Sequence, residues 1–125
     1  MSFGFSNLFG ASSKPAKGIS AADAVKLAEE GAITVIDVRD HSEIAQTGKA
    51  KGALHIPLFQ LQQKADPRHP EFHQDLSTEK PVAVYCASGA RSEMARRALA
   101  GFGFGEVHNI GGFFHWQSAG GVCEA

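Results

Sequence analysis

Cysteine, serine, glycine and arginine meet in one short stretch, Cys86-Ala87-Ser88-Gly89-Ala90-Arg91-Ser92. A cysteine is sluggish as a thiol and nucleophilic as a thiolate. Its ordinary pKa is about 8.5, and a helix N-terminus or a nearby cation lowers it to roughly 3.5–7.5. Small side chains let such a loop curl tightly, and Gly89 tolerates a positive φ. Curling turns successive backbone N–H groups inward as an anion nest. The free N–H groups and positive dipole end of a following helix face the same point. Attack by the Cys86 thiolate without a dedicated base is the chemistry this pattern supports. Arg91 adds a permanent positive charge beside the loop. The competing reading is a structural cysteine at the end of a buried strand.

That stretch needs a strand behind it and a helix in front, and the flanks supply both. Val82 to Cys86 is a buried, β-branched run opened by Pro81. Arg91 to Phe102 reads as an amphipathic helix, with Met94, Ala95, Ala98, Leu99 and Phe102 inward. Arg96 and Arg97 lie on its solvated face, with a docking patch as the alternative. Upstream, Ser20 and Asp23 start a helix carrying Ala21, Ala24, Val25 and Ala28, which Gly31 stops. Ile33 to Val38 reads as a strand covered on both faces. Asp40 and Glu43 start a short helix that Gly48 breaks. A brief strand over Ala53 to Ile56 and a short helix over Leu58 to Lys64 follow. Asp66 to Ser77 reads as a loop, Glu106 to Ile110 as a third long strand and Phe113 to Ser118 as a last helix. Alternating strands and helices imply a parallel sheet with helices on both faces. Ligands in such folds bind beyond the carboxyl ends of the strands, where Cys86 falls.

The chain has 125 residues, enough for one domain with its own core. We divide it into a flexible N-terminal segment, 1–17, a domain, 18–119, and a small, flexible tail, 120–125. Phe3, Phe5, Leu8 and Phe9 suggest that the head docks on its own domain or serves as a partner-binding arm. A formal net charge of −1 gives no reason to expect nucleic acid as partner. No apolar run approaches the roughly 20 residues that span a bilayer, and the first residues lack a signal-peptide pattern. We therefore expect no membrane partner and a cytoplasmic location. Cys86 and Cys123 do not make a disulfide framework.

Four segments, in order, resemble the single-domain rhodanese-like sulfurtransferases. They are Ile36-Asp37-Val38-Arg39, Gly52-Ala53-Leu54-His55-Ile56-Pro57, the loop Cys86 to Arg91, and Gly111-Gly112 with Trp116. The resemblance implies a five-stranded parallel sheet between helices and a reaction in two halves. Cys86 takes a sulfur from a donor such as thiosulfate and keeps it as a persulfide. Cyanide or a thiol then removes it, and the acceptor could equally be a cysteine of a partner protein. The resemblance also implies that Ala87, Ser88, Gly89, Ala90 and Arg91 supply mainly backbone N–H groups, with a hydroxyl from Ser88, that Arg91 contacts the anionic donor or braces the loop, and that Ser92 supports it. No metal or organic cofactor is implied. Many relatives carry a basic residue where Ala87 stands, so this mouth has less positive charge for thiosulfate. Asp37 and Arg39 would hold neighbouring loops, with substrate contact as the alternative. His55 reads as architectural and Trp116 as a packing residue.

Other functions compete less well. Related phosphatases and arsenate reductases carry one more residue between cysteine and arginine, to cradle a tetrahedral oxyanion. Here Cys86 to Arg91 spans six residues, a cradle better matched to a single sulfur. A non-catalytic rhodanese-like domain is disfavoured because Cys86 is present. His69 and His73 have Pro70 between them and no third ligand nearby, which argues against metal. Cys123 reads as an idle thiol, with resolution of a Cys86 persulfide as the alternative. Gly101 to Gly105 lacks the setting of a dinucleotide loop.

Overall fold

A computed structural model describes residues 18–125. The expectations for the head, residues 1–17, fall outside the described residues. Helix α1 (Ala21–Glu29) starts where its cap signal lies: Asp23 N–H donates to Ser20 Oγ, and Ser20 N–H donates back to the Asp23 carboxylate. Strand β1 (Thr34–Asp37) leads into α2 (His41–Thr47), where Asp40 N–H donates to Glu43 Oε2 at 2.9 Å. Short strands β2 (Lys49–Ala50) and β3 (Leu54–His55) precede a single 3-10 turn (Leu58–Gln60) and α3 (Leu61–Ala65). Then come β4 (Val82–Cys86), α4 (Ala90–Gly101), β5 (Val107–Gly112), α5 (Phe113–Ser118) and β6 (Cys123–Glu124).

Strands β3, β1, β4 and β5 form one parallel sheet in that order. Period-2 alternation splits its side chains between two cores. Ile36, Val82, Val84 and Cys86 face Leu61, Ala65, Ala95 and Leu99 of α3 and α4. Val35, Ala83, Tyr85 and Ile110 face Ala24, Val25, Phe113 and Trp116 of α1 and α5. Helices thus cover both faces, as the α/β pattern requires. Trp116 is a packing residue in the second core, and its Nε1–H donates to Val122 O.

Three expectations are corrected. Among the described residues the parallel sheet has four strands, not five. After β2 the chain reverses through Gly52, whose φ is +80°. Ala50 N–H then goes to the Tyr85 hydroxyl at 2.9 Å, and β2 pairs antiparallel with β6. That pairing is the second correction: the tail is a strand, clamped where Lys49 Nζ donates to Glu124 Oε2. Third, Met94 is 55% exposed. The buried stripe of α4 runs through Ser92, Ala95 and Leu99, which turns Met94 towards solvent. Strand β5 also runs two residues further than expected, to Gly112.

Candidate active site

Cys86 is the last residue of β4, and its side chain lies on the α3/α4 side of the sheet, 1% exposed. The loop after it turns at Gly89, which has φ +112° and caps α4. A β-carbon carrying residue is strained at that φ. The turn sends Gly89 N–H to Cys86 Sγ at 3.0 Å. Helix α4 brings Ser92 N–H to 3.4 Å and the Ser92 hydroxyl to 3.3 Å of the same sulfur. Burial pushes the Cys86 thiol up. Hydrogen bonds from the Ser92 hydroxyl, Ser92 N–H, Gly89 N–H and Ser88 N–H outweigh it, so the net shift is downward.

The hydroxyl at the sulfur is therefore that of Ser92, not Ser88. Ala87, Ser88 and Ala90 are exposed around the loop. Arg91 turns away to α2, where Nη1 and Nη2 reach the two oxygens of Glu43 at 2.7 and 2.8 Å. This fork, more than the opposing burial, holds Glu43 down to about 2 and raises Arg91 further. Arg96 and Arg97 are both paired to Glu93.

Across the sheet, on the α1/α5 side, Asp37 and Arg39 form a buried pair with Nη2 to Oδ2 at 2.8 Å. Arg39 N–H and Nε also donate to Asp37, while Nη1 reaches Thr47 Oγ1 and Nη2 reaches Gly48 O. The guanidinium lies 4.4 Å from the Phe113 ring centre. The pair thereby ties the end of β1 to the end of α2. His55 Nε2–H donates to Arg39 O at 2.6 Å. His69 and His73 serve turns, each Nδ1 accepting a backbone N–H two residues on. Cys123 is exposed on β6, and partial desolvation raises its thiol against the opposing charge of Arg39.

Sequence reasoning left the contacts of three residues with the loop unassigned. Glu43 was legible as a helix start, but nothing local pointed to Arg91. Asn109 joins Ser92 to Gly89, with Ser92 Oγ donating to Oδ1 at 2.7 Å and Nδ2 donating to Gly89 O at 3.0 Å. Its signal was an amide side chain inside a strand, where Asn is disfavoured. Gly112 is the third: a β-carbon there would lie 2.1 Å from Ala87 O. Only glycine lets β5 lie this close to the Cys86 loop.

The chain is similar to known proteins. The rhodanese-like domain family matches residues 20–119, and the chain belongs to it. A thiosulfate sulfurtransferase, GlpE, of Coxiella burnetii is 35% identical over 103 residues, 82% of this chain and 88% of the relative. Among solved structures, a Rhodopseudomonas palustris protein described as a possible tyrosine phosphatase is 33% identical with TM-score 0.76, covering 86% of this chain and 84% of its own. The human single-domain sulfurtransferase TSTD1 is 25% identical with TM-score 0.70, covering 83% and 97%.

Proposed function

We propose that this chain is a sulfurtransferase that carries sulfane sulfur as a persulfide on Cys86. The thiolate attacks the outer sulfur of a donor such as thiosulfate. A new S–S bond forms to Sγ, the donor's S–S bond breaks, and sulfite leaves with the electron pair. A thiol or cyanide then attacks the outer sulfur and displaces the Cys86 thiolate. The donor's sulfane sulfur carries the oxidising equivalents to the acceptor, so no outside oxidant or reductant is needed, and neither half needs a metal or organic cofactor.

The observation that carries this reading is the set of N–H donors at Sγ, from Gly89 and Ser92, on a sulfur with no base beside it among the described residues. Such a site favours a standing thiolate over one generated during attack. The same donors suit a single anionic sulfur. A phosphatase reading, suggested by the description of the R. palustris protein, is weakened by the six residues from Cys86 to Arg91 and by the engagement of Arg91 with Glu43.

Intact mass after brief exposure to thiosulfate, then to cyanide, tests the proposal. Wild-type protein should gain one sulfur atom and lose it as thiocyanate, and Cys86→Ser should do neither. Failure to gain sulfur from thiosulfate, mercaptopyruvate and a protein persulfide alike overturns it.

A further inference from the structure

Asn109 is not aimed at the sulfur, yet it holds both residues that are. Its orientation follows from partners that have only one role. Gly111 N–H can only donate, and it meets Oδ1 at 3.0 Å. Gly89 O can only accept, and it meets Nδ2 at 3.0 Å. The atom facing Ser92 Oγ at 2.7 Å is therefore the carbonyl oxygen, and Ser92 must donate to it. A hydroxyl has one proton. While Ser92 donates to Asn109, it can only accept from Cys86, so this arrangement suits the protonated thiol. A thiolate needs that same proton turned towards Sγ, 3.3 Å away.

We infer that Asn109 is a positioning residue that competes with Cys86 for the Ser92 proton and so sets the balance between thiol and thiolate. When Cys86 loses its proton, the Ser92 hydroxyl rotates from Oδ1 to Sγ. The Asn109 carbonyl keeps Gly111 N–H, and Nδ2 keeps Gly89 in the turn that aims its N–H at the sulfur. Ionisation thus trades one hydrogen bond for another. This inference rests on Cys86 being the nucleophile but not on what the thiolate attacks.

Charged and titratable groups around the loop are otherwise engaged. Glu93 Oε1 approaches Nδ2 at 3.4 Å and is paired to Arg96. Arg91 of α4 is forked to Glu43 of α2, with the charge of Asp40 nearby. On α5, His115 Nδ1 accepts from Gly112 N–H. At the end of β1, Asp37 and Arg39 hold each other, and His55 is bound to Arg39 O.

The test is the ultraviolet thiolate absorbance of full-length protein against pH. Cys123→Ser serves as the background and Cys86→Ser as the blank. Asn109→Asp places a carboxylate where the carbonyl was. It keeps the Ser92 proton and sets negative charge near Sγ, so the midpoint should rise by about one pH unit. Asn109→Leu removes the nearer competing acceptor and leaves only the longer contact to Gly111 O at 3.4 Å, so the midpoint should fall. A merely structural brace predicts a rise in both, because both lose the bond to Gly89 O. Equal rises, an unmoved Asn109→Asp, or an Asn109→Leu midpoint at or above wild type each overturn the inference. If Asn109→Asp fails to fold, the sign for Asn109→Leu still decides. Thiolate absorbance is read without any sulfur donor, so a failed sulfur-transfer assay leaves this result standing.

Discussion

Two buried polar clusters sit at the carboxyl end of the same sheet, on opposite faces, and they are built on opposite logic. Around Asp37 and Arg39 donors and acceptors are matched. The carboxylate takes the guanidinium and a backbone N–H, and the remaining guanidinium donors reach Thr47 and Gly48. Around Cys86, N–H donors from Gly89 and Ser92 converge on one sulfur, which accepts from them best when it carries charge. A matched cluster holds structure. A cluster with surplus donors is poised for an anion. Charge type also differs: one cluster balances a full cation against a full anion, while the other relies on neutral dipoles that need no counter-charge.

The largest expected effect breaks the matched cluster. Asp37 and Arg39 are 0% and 2% exposed. Asp37→Asn keeps the shape but leaves the Arg39 cation buried without its partner. Removing one member of a buried pair costs about 3–5 kcal/mol, a large share of the stability of about 5–15 kcal/mol typical of a domain. The urea midpoint should fall accordingly. A variant within about 1 kcal/mol of wild type would mean the two clusters are not built differently after all.

Next comes Gly112→Ala, aimed at the other cluster. The new β-carbon meets backbone, Ala87 O and Ser88 Cα, which cannot swing aside as a flexible side chain would. The loop must shift and carry the donors off Sγ. Overpacking of this kind costs about 1–3 kcal/mol. Misplacing a reacting group by about an ångström costs on the order of 100-fold in rate. Sulfur loading by mass spectrometry should therefore slow more than the urea midpoint implies. Near-normal loading in a strongly destabilised protein would place the strain elsewhere.

Both clusters differ in how far the chain announces them. The cysteine loop was legible because it is local: strand end, small-residue turn and helix start are contiguous from Val82 to Phe102. The parallel α/β plan was legible too, since alternating runs imply it. What escaped was contact between segments distant in sequence. Glu43 and Arg91 lie 48 residues apart, and Ser92 and Asn109 lie 17 apart. Each looks ordinary in its own window. The β2–β6 pairing escaped for the same reason, since Gly120 to Ala125 has the composition of a loose end and is ordered by Lys49 and Trp116. Met94 shows the opposite error, where a local helical pattern placed the buried stripe a step out of position.

Helix α2 joins the two clusters, and the smallest predicted effect reads that joint. Arg39 holds its C-terminal end through Gly48 O, and Arg91 of α4 holds it through Glu43. The Glu43 carboxyl is held down to about 2 mainly by Arg91, against burial and with help from Asp40 N–H. A carboxyl depressed on folding stabilises in full above its unfolded value, near 4.5. That contribution fades as pH falls towards 2. The side chains of Arg91 and Glu43 are 33% and 27% exposed, so water screens the pair. Even this two-pronged geometry is worth about 1 kcal/mol or less. Glu43→Gln should lower the thermal midpoint slightly at neutral pH, and the gap to wild type should close between pH 4.5 and 2. Glutamine can still accept from Asp40 N–H, so a gap that persists unchanged at the acid end would assign the loss to something other than the ion pair. The link between the clusters would then run through Arg39 alone.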